Sequence, residues 1–173
     1  MNLIADNNIT FEEAISLTEK FIKKIPKLSE LEKEAIVSSL VLTENGARGF
    51  FVTYLTSDNF LVEEKSSGIV AGLKTSPEIV SELLVKNVTM STAMKITHQR
   101  NNNLEMYQKS ARVTQRSVNF IRELSLSEIK EKIKLLINTM EEGKGVYQEF
   151  LNRWGYDKEQ KEAIQLVIRE IDE

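Results

Sequence analysis

Four basic residues in the second half of the chain have the types and the spacing to bind a negatively charged group. They are Arg100, Lys109, Arg112 and Arg116. Arginine and lysine side chains donate charge-assisted hydrogen bonds to carboxylates and phosphates, so the chemistry they offer is recognition of an anion. The segment 95–125 that contains them holds six basic and two acidic residues, whereas the whole chain has a net charge of −3. We therefore treat this segment as the candidate functional region.

Lys109, Arg112 and Arg116 fall on one face of a predicted helix, within two turns. Like charges at this spacing repel by about 0.2–0.5 kcal/mol per pair, so counter-charges are expected nearby. Glu105 can pair with Lys109, but Arg112 and Arg116 have no acidic residue at helical spacing. Either acids of the C-terminal segment pair with them inside the molecule, or the charge comes from outside. An outside source is an acidic partner protein, a phosphate-bearing ligand or nucleic acid.

His98 is the single histidine of the chain, near the end of the predicted helix that precedes the basic one. A histidine can act as a general base or a metal ligand, or it can sit at the negative end of the helix dipole. With no cysteine and no second histidine in the sequence, a metal site would need several carboxylates. We therefore expect no catalytic residue, no metal and no cofactor. His98 joins the four basic residues as a candidate contact for a ligand or partner.

Gly46 and Gly49 match the Gly-x-x-Gly loop with which some domains clamp a nucleic-acid backbone. That loop needs strands around it and a conventional helix after it, whereas a bulky apolar run follows here. We interpret the two glycines as residues that end a helix and form a turn.

Hydrophobic periodicity predicts the helices that position these residues. One helix covers 76–100 and the next covers 104–124, with Leu104 and Tyr107 on its buried side and the asparagines 101–103 as the turn between them. Capping boxes predict four further helix starts. They pair Thr10 with Glu13, Ser29 with Glu32, Ser125 with Glu128, and Asp157 with Gln160. The predicted fold is all-α, a single-domain bundle of six or seven helices.

Three segments fit this scheme less well. Residues 1–9 are predicted to be a loose lead-in, and residues 58–75 are the most loop-like part of the chain. The run 50–56 is rich in β-branched and aromatic residues, so a small hairpin near 50–63 is the alternative to a helix there. The expected domain is nevertheless one unit covering 1–173.

Composition excludes several classes of protein. A chain of 173 residues with 41% hydrophobic and 28% charged residues can fold around a hydrophobic core without a disulfide or a structural metal ion. The absence of cysteine excludes disulfides, thiolate metal sites and a cysteine nucleophile. The sequence shows no signal peptide and no apolar run long enough to span a bilayer, so we expect a cytoplasmic protein that does not contact membranes.

These observations predict a non-enzymatic, bacterial-type cytoplasmic protein with an interaction or regulatory role. Its basic helix face would engage an acidic protein partner, or the chain would form a homodimer. The first alternative is a binder of nucleic acid or of a phosphorylated ligand through the same face. The second is an enzyme with a pocket at His98.

Overall fold

The computed structural model describes residues 2–172, and within this range the fold is all-α, as predicted. The described residues contain nine α-helices rather than six or seven, and no strand. The first four are α1 (Phe11–Lys24), α2 (Glu30–Val41), α3 (Glu44–Thr56) and α4 (Ser67–Leu73). The others are α5 (Pro77–Arg100), α6 (Leu104–Leu124), α7 (Ser127–Glu142), α8 (Gln148–Trp154) and α9 (Lys158–Asp172).

The helices form two compact units, of which the first ends at Leu83 and the second begins at Leu84. This boundary lies inside α5, which is one unbroken helix. The single domain expected from the sequence stays a prediction, and the two units are described separately below.

The hairpin considered near 50–63 is absent, because α3 runs from Glu44 through Thr56. Its β-branched and aromatic residues are held helical by burial. Phe50, Phe51, Tyr54 and Leu55 are all buried, and the rings of Phe50 and Tyr54 stack with their centroids 5.1 Å apart. Tertiary packing therefore overrides the strand propensity of this run.

Gly46 and Gly49 lie inside α3, so their interpretation as a helix end and turn is wrong. Thr43 caps the helix by accepting a hydrogen bond from the N–H of Gly46. A Cβ atom at Gly49 would overlap the methyl group of Ala14, which lies on α1. Gly49 is therefore needed where α1 and α3 pack closely, rather than at a turn.

The segment 58–75, predicted to be the most loop-like, contains a 3₁₀ helix, Phe60–Glu63, and the helix α4. Gly68 and Gly72 of this segment form one small face of α4 that packs against α2. A Cβ atom on Gly72 would lie 2.8 Å from Cβ of Val37. Helix packing thus requires glycine at positions where a single sequence indicates a break.

Glu30, the first residue of α2, caps the N-terminus of α4. Its Oε2 atom accepts hydrogen bonds from Oγ of Ser66 at 2.6 Å and from the N–H of Gly68 at 2.7 Å. Lys33 lies 3.0 Å from the other carboxylate oxygen. These bonds, with that of Ser66 the strongest cause, lower the pKa of Glu30 to about 2.

Local capping explains the starts of α1, α2 and α9. Thr10 and Glu13 form the predicted capping box, and the Ser29 hydroxyl accepts from the N–H of Glu32. The box predicted at Ser125 and Glu128 is wrong, because Ser125 ends α6 with a φ of 50° and α7 begins at Ser127. Serine followed three residues later by glutamate therefore occurs at a helix end here, instead of at a helix start.

The described part of the N-terminal lead-in is anchored to the first unit. Leu3 and Ile9 are buried, and the N–H of Ala5 donates to Oγ of Ser39 on α2 at 2.8 Å. Residues 2–9 are thereby more firmly held than a loose lead-in.

In the second unit α7 packs against α9. Ile133 and Leu136 of α7 are buried, as are Ile164 and Ile168 of α9. Arg169 forms an ion pair with Glu141 across the two helices.

Candidate interaction surface

The turn between α5 and α6 is built by three asparagines, as the sequence predicts. Asn102 adopts a left-handed backbone with a φ of 55°, which asparagine tolerates better than most residues. The N–H of Asn103 donates to the carbonyl of His98 at 2.9 Å, and its Oδ1 atom accepts from the N–H of Met106 at 3.1 Å. Asn103 therefore closes one helix and caps the next.

The helical hairpin around this turn contains twenty consecutive residues, 94–113, none of which is buried. We call these residues the hairpin tip. The next longest stretch without a buried residue in the described chain is 26–35, half that length. The core begins immediately below the tip, where Ser91 and Thr114 are buried and their hydroxyl oxygens lie 2.6 Å apart.

Large apolar side chains are exposed on the hairpin tip. Leu104 is 67% exposed, Met94 41% and Met106 39%. Tyr107 is half-buried. The prediction that Leu104 belongs to the core is therefore wrong. Helical spacing identifies its face, but no other element covers that face at this end of α6.

Two of the predicted basic residues lie on the tip in α6. Lys109 is exposed, and its Nζ atom lies 3.5 Å from Oε1 of Glu105, which is the predicted pair. Arg112 is half-buried and has an interaction partner within the chain. Lys95 of α5 is also half-buried. The tip thus carries positive charge beside its apolar side chains.

Arg116 does not share the exposed face predicted for it. Its exposed fraction is 6%, and it has an interaction partner within the chain. From Thr114 onward, α6 is covered on several sides, with seven buried residues up to Leu124. A guanidinium in such surroundings contributes to the structure of the unit rather than to a surface.

Arg100, at the end of α5, is bonded to the start of α9. Its Nη1 atom lies 2.6 Å from Oδ2 of Asp157, and its Nη2 atom lies 2.7 Å from Oε1 of Glu159. The bond to Asp157 is the larger cause that raises the pKa of the guanidinium, and the same bond lowers the pKa of Asp157. Acids of the C-terminal segment therefore supply a counter-charge to Arg100.

Gln160 completes this polar connection between α5 and α9. In the capping box, the N–H of Gln160 donates to Asp157 at 3.0 Å and its Oε1 atom accepts from the N–H of Asp157 at 3.1 Å. Its Nε2 group donates to the carbonyl of Ala93 at 3.2 Å and to Oγ1 of Thr97 at 3.1 Å. The side chain is buried, so all of its polar atoms need these partners. The connection fixes the base of the hairpin tip to α9.

His98 lines an open depression of about 410 Å³ beside the turn. The other lining residues are Gln99, Asn102, Asn103, Leu104 and Tyr107. None of them is a carboxylate that could orient the imidazole or share a proton with it. Across residues 2–172, no group of three or more histidine, aspartate or glutamate side chains is arranged to hold a metal ion. The chemistry that this depression offers is hydrogen bonding and apolar contact.

A family model described as "Uncharacterised conserved protein UCP020893" matches residues 10–171. The chain belongs to this family. No curated protein and no solved structure matches the chain. The family match contains α1 to α8 completely, so the hairpin tip lies within it. None of the helices in the described part of this family member has the length and apolar character needed to cross a membrane.

Sequence reasoning missed Leu104 and Met106 as surface residues of this family member. The signal that points to them is local. Both lie in the first turn of the helix that follows a three-asparagine turn, and the preceding residues Gln99 and Arg100 are polar. An apolar residue at the first turn of a helix after such a sequence is at the end of the bundle, where coverage by other helices stops.

Proposed function

We propose that this chain is a non-enzymatic helical interaction protein whose hairpin tip docks an acidic protein partner. The observation that carries the proposal is the stretch of twenty residues without a buried side chain, in which Leu104, Met106 and Lys109 are all exposed. Exposed apolar side chains of this size are typical of interaction sites when they cluster. Methionine and aromatic residues are also enriched at the centres of protein interfaces.

The combination of groups favours a protein over a polyanion. Arg100 is already bonded to two carboxylates, which reduces the positive charge at the tip. Arg116 lies outside the tip and is buried. A nucleic acid would neutralise several phosphates and would gain little from Leu104 or Met94. An amphipathic segment with acidic side chains would bury those apolar groups and place a carboxylate near Lys109. The cytoplasmic location expected from the sequence is part of this proposal, and cell fractionation tests it.

The test is affinity purification from the native cell with three forms of the full chain. The first is the natural protein and the second is the tip variant, Leu104→Ser with Lys109→Glu. The third is a matched control on α9, Leu166→Ser with Lys161→Glu, which changes an exposed leucine and an exposed lysine in the same unit. We expect a protein that the natural chain and the α9 control both retain and that the tip variant loses. Identical sets of retained proteins for all three forms would overturn the proposal.

Titration with DNA and RNA at low salt completes the test. Binding that falls steeply with salt and disappears in the tip variant would replace the protein partner with the nucleic-acid alternative. Thermal unfolding of all three forms, with closely similar midpoints expected, shows that a lost interaction is not a lost fold.

A further inference from the structure

A second surface of the molecule complements the hairpin tip. It is an open groove of about 480 Å³ in the first unit, between residues 4–9 and α1. Its apolar lining includes Ile4, which is 47% exposed, and Leu17. Its charged lining residues are Asp6, Glu12, Glu13 and Lys20. We call it the N-terminal groove.

The groove has a defined shape because residues 2–9 are fixed. The buried side chains of Leu3 and Ile9 hold this segment at both ends, and the hydrogen bond from Ala5 to Ser39 fixes its middle. A rigid groove loses little conformational entropy when it binds another surface.

The charges of the groove and the tip are opposite. Glu12 and Glu13 lie in the first turn of α1, and Asp6 lies in the segment that precedes it. Lys20 lies about two turns further along the helix. Each surface also presents exposed aliphatic side chains, Ile4 in the groove and Leu104 on the tip. Contact between the two surfaces would therefore bury apolar area and bring lysines to carboxylates in one step.

We propose that the partner of the hairpin tip is a second copy of this chain, which receives the tip in its N-terminal groove. This inference rests on the proposed function, because it assigns the occupant of the same tip. Contact between two tips is disfavoured, since it would bring together two surfaces that both carry a net positive charge. The tip and the groove are different surfaces, so the contact is head-to-tail and leaves each copy with one unused surface. Association therefore continues to longer species or closes into a ring.

Two variants that each remove one surface test the inference. The tip variant is Leu104→Ser with Lys109→Glu, and the groove variant is Ile4→Ser with Glu12→Lys. Glu12 is chosen instead of Glu13 because Glu13 belongs to the capping box of α1. Sedimentation velocity of the full chain is measured over a range of concentrations up to roughly 1 mM, the dissociation constant of a weak contact.

The sedimentation coefficients of the natural chain and of the α9 control are expected to rise with concentration. This rise should be smaller at high salt. Each variant by itself is expected to stay monomeric. An equimolar mixture of the two variants should form a heterodimer and nothing larger, because it contains one intact tip and one intact groove. Thermal midpoints near that of the natural chain confirm that both variants fold.

A natural chain that stays monomeric, or a mixture of variants that fails to form the heterodimer, would overturn this inference. In that case the proposed function is judged separately by the affinity purification. If the tip variant still loses a different protein, the tip docks an acidic partner that is not a second copy. If no protein is lost, both proposals fail.

Discussion

The Nη1 atom of Arg100 lies 2.6 Å from Oδ2 of Asp157, so the last residue of α5 is bonded to the residue that precedes α9. One carboxylate thus has two tasks. Its Oδ2 atom accepts from the guanidinium while its Oδ1 atom accepts from the N–H of Gln160 and caps α9. The candidate anion-binding arginine nearest the turn is therefore part of the support for the hairpin tip.

Replacing Arg100 and replacing Asp157 are expected to lower the thermal midpoint of unfolding by different amounts. Arg100→Ala removes two exposed ion pairs, with Asp157 and Glu159, and such pairs contribute little to stability. Asp157→Ala removes one of these pairs and also the helix cap, so it should lower the midpoint further. Lys161→Ala, an exposed change on the same helix, serves as the control. Equal midpoints for the Arg100 and Asp157 variants would contradict a capping role for Asp157.

Acid is expected to weaken the first unit through Glu30. Because the folded pKa of about 2 lies below the ordinary value of 4.5, the folded state favours the charged form. The stabilisation is complete above the ordinary pKa and is lost as the pH falls from 4.5 toward 2. Salt screens part of the effect, since the Glu30 side chain is half exposed.

Urea denaturation of the natural chain and Glu30→Gln across this pH range measures that contribution. The natural chain should be the more stable form at pH 6, and the difference should shrink as the pH approaches 3. Glu32→Gln, which changes a carboxylate on the same helix, is the comparison. If the difference in the free energy of unfolding between the natural chain and Glu30→Gln does not vary with pH, the ionisation of Glu30 does not contribute to stability as expected.

The sequence predicted the caps at Thr10, Ser29 and Asp157 because capping is a local event. The donor and the acceptor are three residues apart, so their spacing in the sequence is enough to bring them together. Ser125 shows where this fails. A serine with a glutamate three residues later can start one helix or end another. At Ser125 the backbone is left-handed, with a φ of 50°, and the residue ends α6.

The candidate surface was only partly predictable for a different physical reason. Helical periodicity places Leu104 and Arg116 on the correct faces of α6, but it says nothing about which end of each face is covered. Leu104 lies beyond the core and is exposed, whereas Arg116 lies within it and is buried. Coverage is set by residues far away in sequence. For the same reason the sequence indicates a break at Gly49, because the close approach of Ala14 is a tertiary contact.

Adding a methyl group at Gly49 is expected to destabilise the first unit. Helix propensity by itself predicts a gain of about 1 kcal/mol for glycine to alanine in a helix interior. The new Cβ would overlap the methyl group of Ala14, and overpacking typically costs about 1–3 kcal/mol. We therefore expect a net loss for Gly49→Ala in guanidinium denaturation. The double variant with Ala14→Gly should recover part of it, whereas a net gain for the single variant would refute close packing here.

Arg116 and Lys109 are expected to differ although both belong to the predicted basic face. Arg116 is buried and has an interaction partner inside the chain, so Arg116→Ala leaves that partner without the guanidinium. The free energy of unfolding should fall by more than about 1 kcal/mol, which is the upper end for exposed ion pairs. Lys109→Ala removes one exposed helical pair with Glu105 and should cost less than about 0.5 kcal/mol. Urea denaturation of both variants gives the two values. Equal losses would place Arg116 on the surface and restore the longer basic face predicted from the sequence.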